Sequence, residues 1–148
     1  MKARGSLVVL ALAIAVPSAL AWPGRPASAP PTAPNPGAPP PAWMETQAKS
    51  AWLAYGSYCW KTACVNMIPP NTRPDLPLFT VKRGQAVRAH LGFNAKSAAV
   101  SIDTKLVQAR LDTTKHVVSW TPTRSGIVTV SARAAVGTAS YVTRLSVR

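Results

Sequence analysis

Residues 85–93, with the sequence Gln-Ala-Val-Arg-Ala-His-Leu-Gly-Phe, alternate between apolar and polar side chains. Val87 and Leu91 fall on one side of the alternation, whereas Arg88 and His90 fall on the other. A period of two residues is typical of a half-buried β-strand. The stretch therefore predicts a strand with one apolar and one polar face.

The same alternation returns twice near the C-terminal end, over residues 127–133 and 141–148. The side chains expected to point inward there are Val128, Val130, Ala132, Tyr141, Thr143, Leu145 and Val147. Shorter candidate strands lie at 79–81, 99–103, 107–111 and 117–120. A helical turn is expected only around 45–53. Seven or eight short strands separated by Gly, Pro, Asn and Asp predict a sandwich or a barrel.

The order of elements near the C-terminus favours the sandwich. Trp120 ends one candidate strand, Ser125-Gly126 precedes the next, and residues 135–138 connect that strand to the last one. This order resembles the C-terminal half of immunoglobulin-like sandwiches, whose cores contain large aromatic side chains. We therefore predict an all-β, immunoglobulin-like sandwich over residues 44–148, with Trp120 between the sheets.

The first 21 residues have the three parts of a signal peptide. Lys2 and Arg4 supply positive charge, residues 7–16 are apolar, and Ala19-Leu20-Ala21 has the small-x-small form of a cleavage site. The alternative is an uncleaved membrane anchor, but a spanning helix needs about 20 apolar residues. We expect cleavage after Ala21, no transmembrane segment in the mature chain, and a secreted, periplasmic or envelope-associated protein.

Residues 22–43 are rich in proline, with nine prolines between Trp22 and Pro41. The segment has few apolar side chains to offset the entropy of ordering its backbone. It is therefore predicted to be a disordered linker with extended polyproline character. Two interpretations stay open: a spacer that holds the domain away from a surface, or a free N-terminal tail.

The chain contains two cysteines, Cys59 and Cys64. Two cysteines in an exported chain are expected to form a disulfide with each other. A redox-active pair and a metal site remain as alternatives, although redox dithiols usually lie two residues apart at a helix start. A disulfide would fix the turn that presents Trp60 and Lys61.

The segment around these cysteines resembles a group of exported proteins. Gly56-Ser57-Tyr58-Cys59-Trp60, the second cysteine, the following prolines and Val81-Lys82-Arg83-Gly84 are similar to small exported bacterial proteins of uncharacterised function. The resemblance covers residues 52–93 and implies an exported immunoglobulin-like domain. Many members are lipoproteins, and this chain lacks the cysteine that would carry the lipid.

Catalytic motifs are absent from the sequence. It contains no Gly-x-Ser-x-Gly elbow, no paired histidines at helical spacing and no phosphate-binding Gly-rich loop. His90 and His116 are expected at the surface, and Asp103 and Asp112 are expected to organise turns. We therefore expect a protein that is not an enzyme and that uses no cofactor and no metal.

The chain is strongly basic, with a formal net charge of +13 and only four acidic residues. In an exported protein this charge favours lipid headgroups, an anionic envelope polymer or a protein as partner. Nucleic acid is disfavoured because no basic and aromatic module of a known kind occurs. A role in solubility alone is the simplest alternative.

The disulfide loop is the expected contact site. Trp60 is expected to be exposed in the loop, beside Lys61 and Tyr58, and aromatic residues are enriched at binding hot spots. The sequence thus predicts a non-catalytic extracytoplasmic binding or structural module. The alternative function is inhibition of a secreted enzyme through the disulfide-closed loop.

Overall fold

The computed structural model describes residues 21–148. In this range the chain forms two β-sheets that pack face to face. The predicted signal peptide, apart from its last residue, lies outside the described residues. Among residues 21–148 there is no helix whose length and apolar character would allow it to cross a bilayer. A short 3-10 turn at Pro70–Thr72 is the helical element in this range.

Twelve strands form the two sheets. They are β1 (Trp43–Glu45), β2 (Ser50–Trp52), β3 (Ala54–Trp60), β4 (Ala63–Val65), β5 (Leu78–Val81), β6 (Val87–His90), β7 (Ser97–Ile102), β8 (Lys105–Val107), β9 (Arg110–Asp112), β10 (Val117–Trp120), β11 (Gly126–Ala134) and β12 (Gly137–Val147). The first sheet has the order β2-β1-β6-β10-β9. The second has the order β4-β3-β12-β11-β7-β8, and β5 pairs in parallel with β12.

This strand order confirms the predicted immunoglobulin-like sandwich. Strands β1, β6, β10 and β9 correspond to the A-B-E-D sheet of that fold, whereas β12, β11 and β7 correspond to G, F and C. The N-terminal strands enlarge this framework at both sheets. Strand β2 extends the first sheet beside β1, and hairpin β3–β4 extends the second sheet beside β12.

The core lies between the two sheets. Trp120 is 4% exposed within it, as predicted, and the largest fully buried side chains there are Tyr141, Phe79 and Met44. The inward residues of β11 are those expected from the alternation in its sequence, because its burial also alternates. The period-two pattern therefore placed these strands correctly.

Four details differ from the sequence-based predictions. There are twelve strands, because the N-terminal region adds four. Residues 45–53, expected to contain a helical turn, form most of the β1–β2 hairpin. Residues 107–111, expected to be one strand, divide between β8 and β9, which belong to different sheets. Val142 lies on the outward side, as the alternation predicts, but it is buried there against Ala54 and Leu76.

The Pro-rich segment packs against the sandwich from Ala38 to Ala42, so the prediction of a disordered linker is wrong for that part. The buried hydroxyl of Tyr55 donates a hydrogen bond to the carbonyl of Pro39 at 3.0 Å, and Tyr141 donates to Pro40 at 2.6 Å. Buried hydroxyls need acceptors, and these carbonyls supply them. The segment therefore closes one end of the core.

Candidate functional site

The predicted disulfide joins Cys59 of β3 to Cys64 of β4. The two residues lie directly opposite each other in the antiparallel hairpin. Only Lys61 and Thr62 form the tip, and the φ of Lys61 is 54°, in the left-handed region. The disulfide therefore closes a tight hairpin with two exposed tip residues.

The predicted exposure of Trp60 is wrong. Trp60 is 4% exposed and packs against Phe93, with ring centroids 4.7 Å apart, and Tyr58 is 3% exposed. The cause is the alternation in β3, which turns Ser57 and Cys59 outward and the two aromatic residues inward. Of the three candidate contact residues, only Lys61 lies at the surface.

The four carboxylates are all engaged inside the described part of the chain. Asp112 accepts the backbone N–H groups of Thr114 and Lys115, and Asp103 accepts that of Ile127. Asp75 pairs with Arg73, with an N–O distance of 2.7 Å. Asp112 thus organises its own turn, as expected, whereas Asp103 bonds to the start of β11, 24 positions away. The fourth carboxylate belongs to Glu45 and forms a contact that the sequence did not predict.

Glu45 pairs with His90 across strands β1 and β6. Its Oε1 lies 2.6 Å from Nε2 of His90, and its Oε2 accepts the N–H of Gly24 at 3.0 Å. The indole of Trp43 stacks on the His90 ring, with centroids 3.7 Å apart. Burial lowers the pKa of His90 below its ordinary value, and the hydrogen bond and charge of Glu45 offset part of this effect.

These residues belong to the outward side of the five-stranded sheet, which we call the aromatic face. Its side chains form two rows across the sheet because the strand register aligns them. One row is Trp52, Trp43, His90, Val117 and Asp112, and the other is Ser50, Glu45, Arg88, Ser119 and Arg110. One row therefore contains the aromatic rings, and the neighbouring row contains most of the charged groups.

Residues 22–28, which we call the N-terminal strap, lie across the aromatic face, so the prediction of a disordered linker is wrong for this part of the chain as well. The guanidinium of Arg88 is 3.6 Å from the centroid of the Trp22 ring, and that of Arg25 is 4.9 Å from the Trp52 ring. The indole N–H of Trp52 donates to the carbonyl of Ser28 at 2.8 Å. Together with the Gly24–Glu45 hydrogen bond, these contacts explain why Glu45 is only 2% exposed.

A small pocket lies beside the strap. It has a volume of about 210 Å³ and is lined by Arg88, His90, Asp112, Lys115, Val117 and Ser119. Among residues 21–148, no group of three or more His, Cys, Asp or Glu side chains is arranged to hold a metal ion. The chemistry that the lining groups offer is hydrogen bonding and attraction of negative charge.

The outward side of the second sheet is different, and we call it the small-residue face. Ser57, Ala99, Ser131, Arg133 and Ser140 lie there around a wide, shallow depression. Ser140 donates a hydrogen bond to the carbonyl of Ser57 at 2.7 Å. This face therefore presents short side chains and few charges.

Reasoning from the sequence missed Glu45, Trp43 and the strap. The signal was partly visible, because Trp43-Met44-Glu45 and Arg88-Ala89-His90 each alternate with a period of two. Their pairing, however, depends on the register between strands 45 residues apart, which no local pattern specifies.

Comparison of the chain with protein-family models, with curated proteins and with solved structures finds no match.

Proposed function

We propose that the chain is a non-catalytic, extracytoplasmic binding module for an anionic polymer of the cell envelope. The observation that carries this proposal is that most basic side chains in the described part of the chain have no carboxylate partner. Every carboxylate in residues 21–148 is engaged locally, and Arg73 is the one Lys or Arg side chain in that range that forms an ion pair with a carboxylate. The remaining basic groups are left to attract an external anion.

The unpaired basic groups produce a positive electrostatic potential around the domain. From Met44 onward the chain has six Lys and eight Arg against the four acids, a net charge of +10. Such a field raises the rate of encounter with polyanions and acts within a Debye length of about 8 Å at physiological salt. The proposal also includes an exported location. The predicted signal peptide and the similarity to exported bacterial proteins support that location.

The distribution of the charges favours a polymer over a membrane. Arg88 and Arg110 lie on the aromatic face, whereas Arg133 and Arg144 lie on the outward side of the second sheet. A flat lipid surface can contact only one of these sides at a time. A flexible polymer held mainly on one side can also make weak contacts on the other, and these contacts add to its avidity.

Inhibition of a secreted enzyme receives less support. The disulfide-closed hairpin exposes only Lys61 and Thr62 at its tip, because Trp60 turns into the core. The surface available for insertion into a cleft is therefore small.

The test compares retention of the protein on immobilised alginate, an anionic polysaccharide, and on immobilised dextran, a neutral one. We expect binding to alginate that falls steeply as salt rises from about 0.05 M to about 0.5 M, because screening weakens the attraction. Vesicles of phosphatidylglycerol provide the lipid control. Retention no greater than on dextran both on alginate and on immobilised polyphosphate, or stronger binding to the vesicles, would contradict the proposal.

A further inference from the structure

The pocket on the aromatic face is large enough to hold one chemical group of a ligand. Its volume of about 210 Å³ corresponds to several water molecules at about 30 Å³ each. Val117 contributes an apolar wall, and Ser119 contributes a hydroxyl that can donate a hydrogen bond. The pocket can therefore hold one polar group of a larger ligand.

The charge of the pocket is positive. Arg88 and Lys115 provide two cations, and Asp112 provides one carboxylate. The Oδ1 atom of Asp112 already accepts the N–H groups of Thr114 and Lys115, each at 3.0 Å. This hydrogen bonding shapes the turn that carries Lys115, so the aspartate acts as a support for a cation at the rim of the pocket.

Arg88 is held in place without being neutralised. It lies directly opposite Glu45 in the strand register, but the oxygens of Glu45 bond to His90 and Gly24. The ring of Trp22 lies over the guanidinium and restricts its position. A guanidinium that is ordered in advance loses less entropy when it binds an oxyanion, and its planar donors suit phosphate and carboxylate.

We propose that this pocket is a subsite for one oxyanion group of the polymer, a phosphate or a carboxylate, held by Arg88 and Lys115. The hydroxyl of Ser119 completes the set of donors. Trp22 is a positioning residue, because it acts through Arg88. This inference rests on the proposed function and deepens it, since it names the surface and the chemical group that is recognised.

The small-residue face offers a matched control. Arg133 lies in the depression of that face, whose lining residues are otherwise serine, alanine and threonine. It has no second cation in the depression and no aromatic ring stacked on it among the described residues. Removing Arg133 therefore lowers the total charge by the same amount as removing Arg88, without changing the pocket.

The test measures dissociation constants of the full chain for alginate oligomers and for linear polyphosphate, which separate carboxylate from phosphate as the recognised group. Arg88→Gln and Lys115→Gln are each expected to weaken binding to the preferred probe about tenfold. Arg133→Gln is expected to weaken it less than about twofold. Lys115 lies in an exposed turn, so its variant stays informative even if Arg88→Gln lowers stability.

The role of Trp22 has its own readout. Trp22→Ala is expected to weaken binding about threefold, because the cation-π contact no longer orders Arg88. Trp22→Phe keeps an aromatic ring and is expected to restore most of the affinity. A purely structural role would change thermal stability without this recovery of binding.

The outcomes separate the two proposals. Equal weakening by Arg88→Gln, Lys115→Gln and Arg133→Gln would overturn the subsite and leave the proposed function intact, because only total charge would then matter. Failure of the unmodified protein to bind either probe would overturn both.

Discussion

The two outer faces of the sandwich carry different chemistry although both arise from the same alternation of side chains. On the aromatic face, Trp43, Glu45 and His90 meet across strands and the N-terminal strap covers them. On the small-residue face, serine and alanine side chains lie largely open to solvent. The period of two thus decides which side chains point away from the core, whereas the segments packed over a face decide which groups that face presents to solvent.

The largest expected effect comes from the buried carboxylate of the aromatic face. Glu45→Ala removes the partner of His90 and of the Gly24 N–H at once, and it is expected to lower the free energy of unfolding by about 3 kcal/mol. Ser131→Ala on the opposite face is the control, with an expected change within about 0.5 kcal/mol. Urea unfolding measures both. Similar changes in the free energy of unfolding for the two variants would show that the contacts of Glu45 do not stabilise the aromatic face.

A smaller effect is expected where the Pro-rich segment crosses the end of the sandwich. A Cβ atom at position 92 would lie 2.7 Å from Cβ of Pro40, so Gly92→Ala must displace the segment and is expected to cost about 2 kcal/mol. Gly37→Ala is the control within the same segment, because the new Cβ would lie 3.5 Å from its nearest neighbour. Thermal unfolding of the two variants is the measurement. A Gly92→Ala variant as stable as Gly37→Ala would mean that the segment is not packed on the core.

The sequence was informative where burial follows a local period and uninformative where contacts join distant segments. The alternation in β11 and the burial of Trp120 were predictable from their own neighbours. The alternation in β3 was also present in the sequence, and applying it would have placed Trp60 inside. The strap and the Tyr141–Pro40 hydrogen bond were not predictable, since the latter joins residues 101 positions apart.

The smallest expected effect is a pH dependence of stability that belongs to the aromatic face. Burial lowers the pKa of His90 in the folded protein, whereas the unfolded chain keeps a value of about 6.5. The unfolded state therefore binds the proton more readily, so the contribution of His90 is complete above about pH 6.5 and declines as pH falls through the folded-state pKa. The pKa values of Asp75 and Asp112 are lowered, so these carboxyl groups titrate below the pH range in which His90 acts.

The measurement is urea unfolding at about pH 7.5 and about pH 5, compared with the variant His90→Gln. The unmodified protein is expected to lose more stability than the variant over this interval. The same loss in both proteins would show that His90 does not cause the dependence.

The most direct test of the difference between the faces is nuclear magnetic resonance mapping of backbone amides during titration with alginate oligomers. If the aromatic face holds the oxyanion, the largest shift changes will cluster at Arg88, Lys115 and Ser119, while Ser131 and Arg133 change little. Changes centred on Ser131 and Arg133, or spread evenly over both faces, would contradict the assignment of binding to the aromatic face.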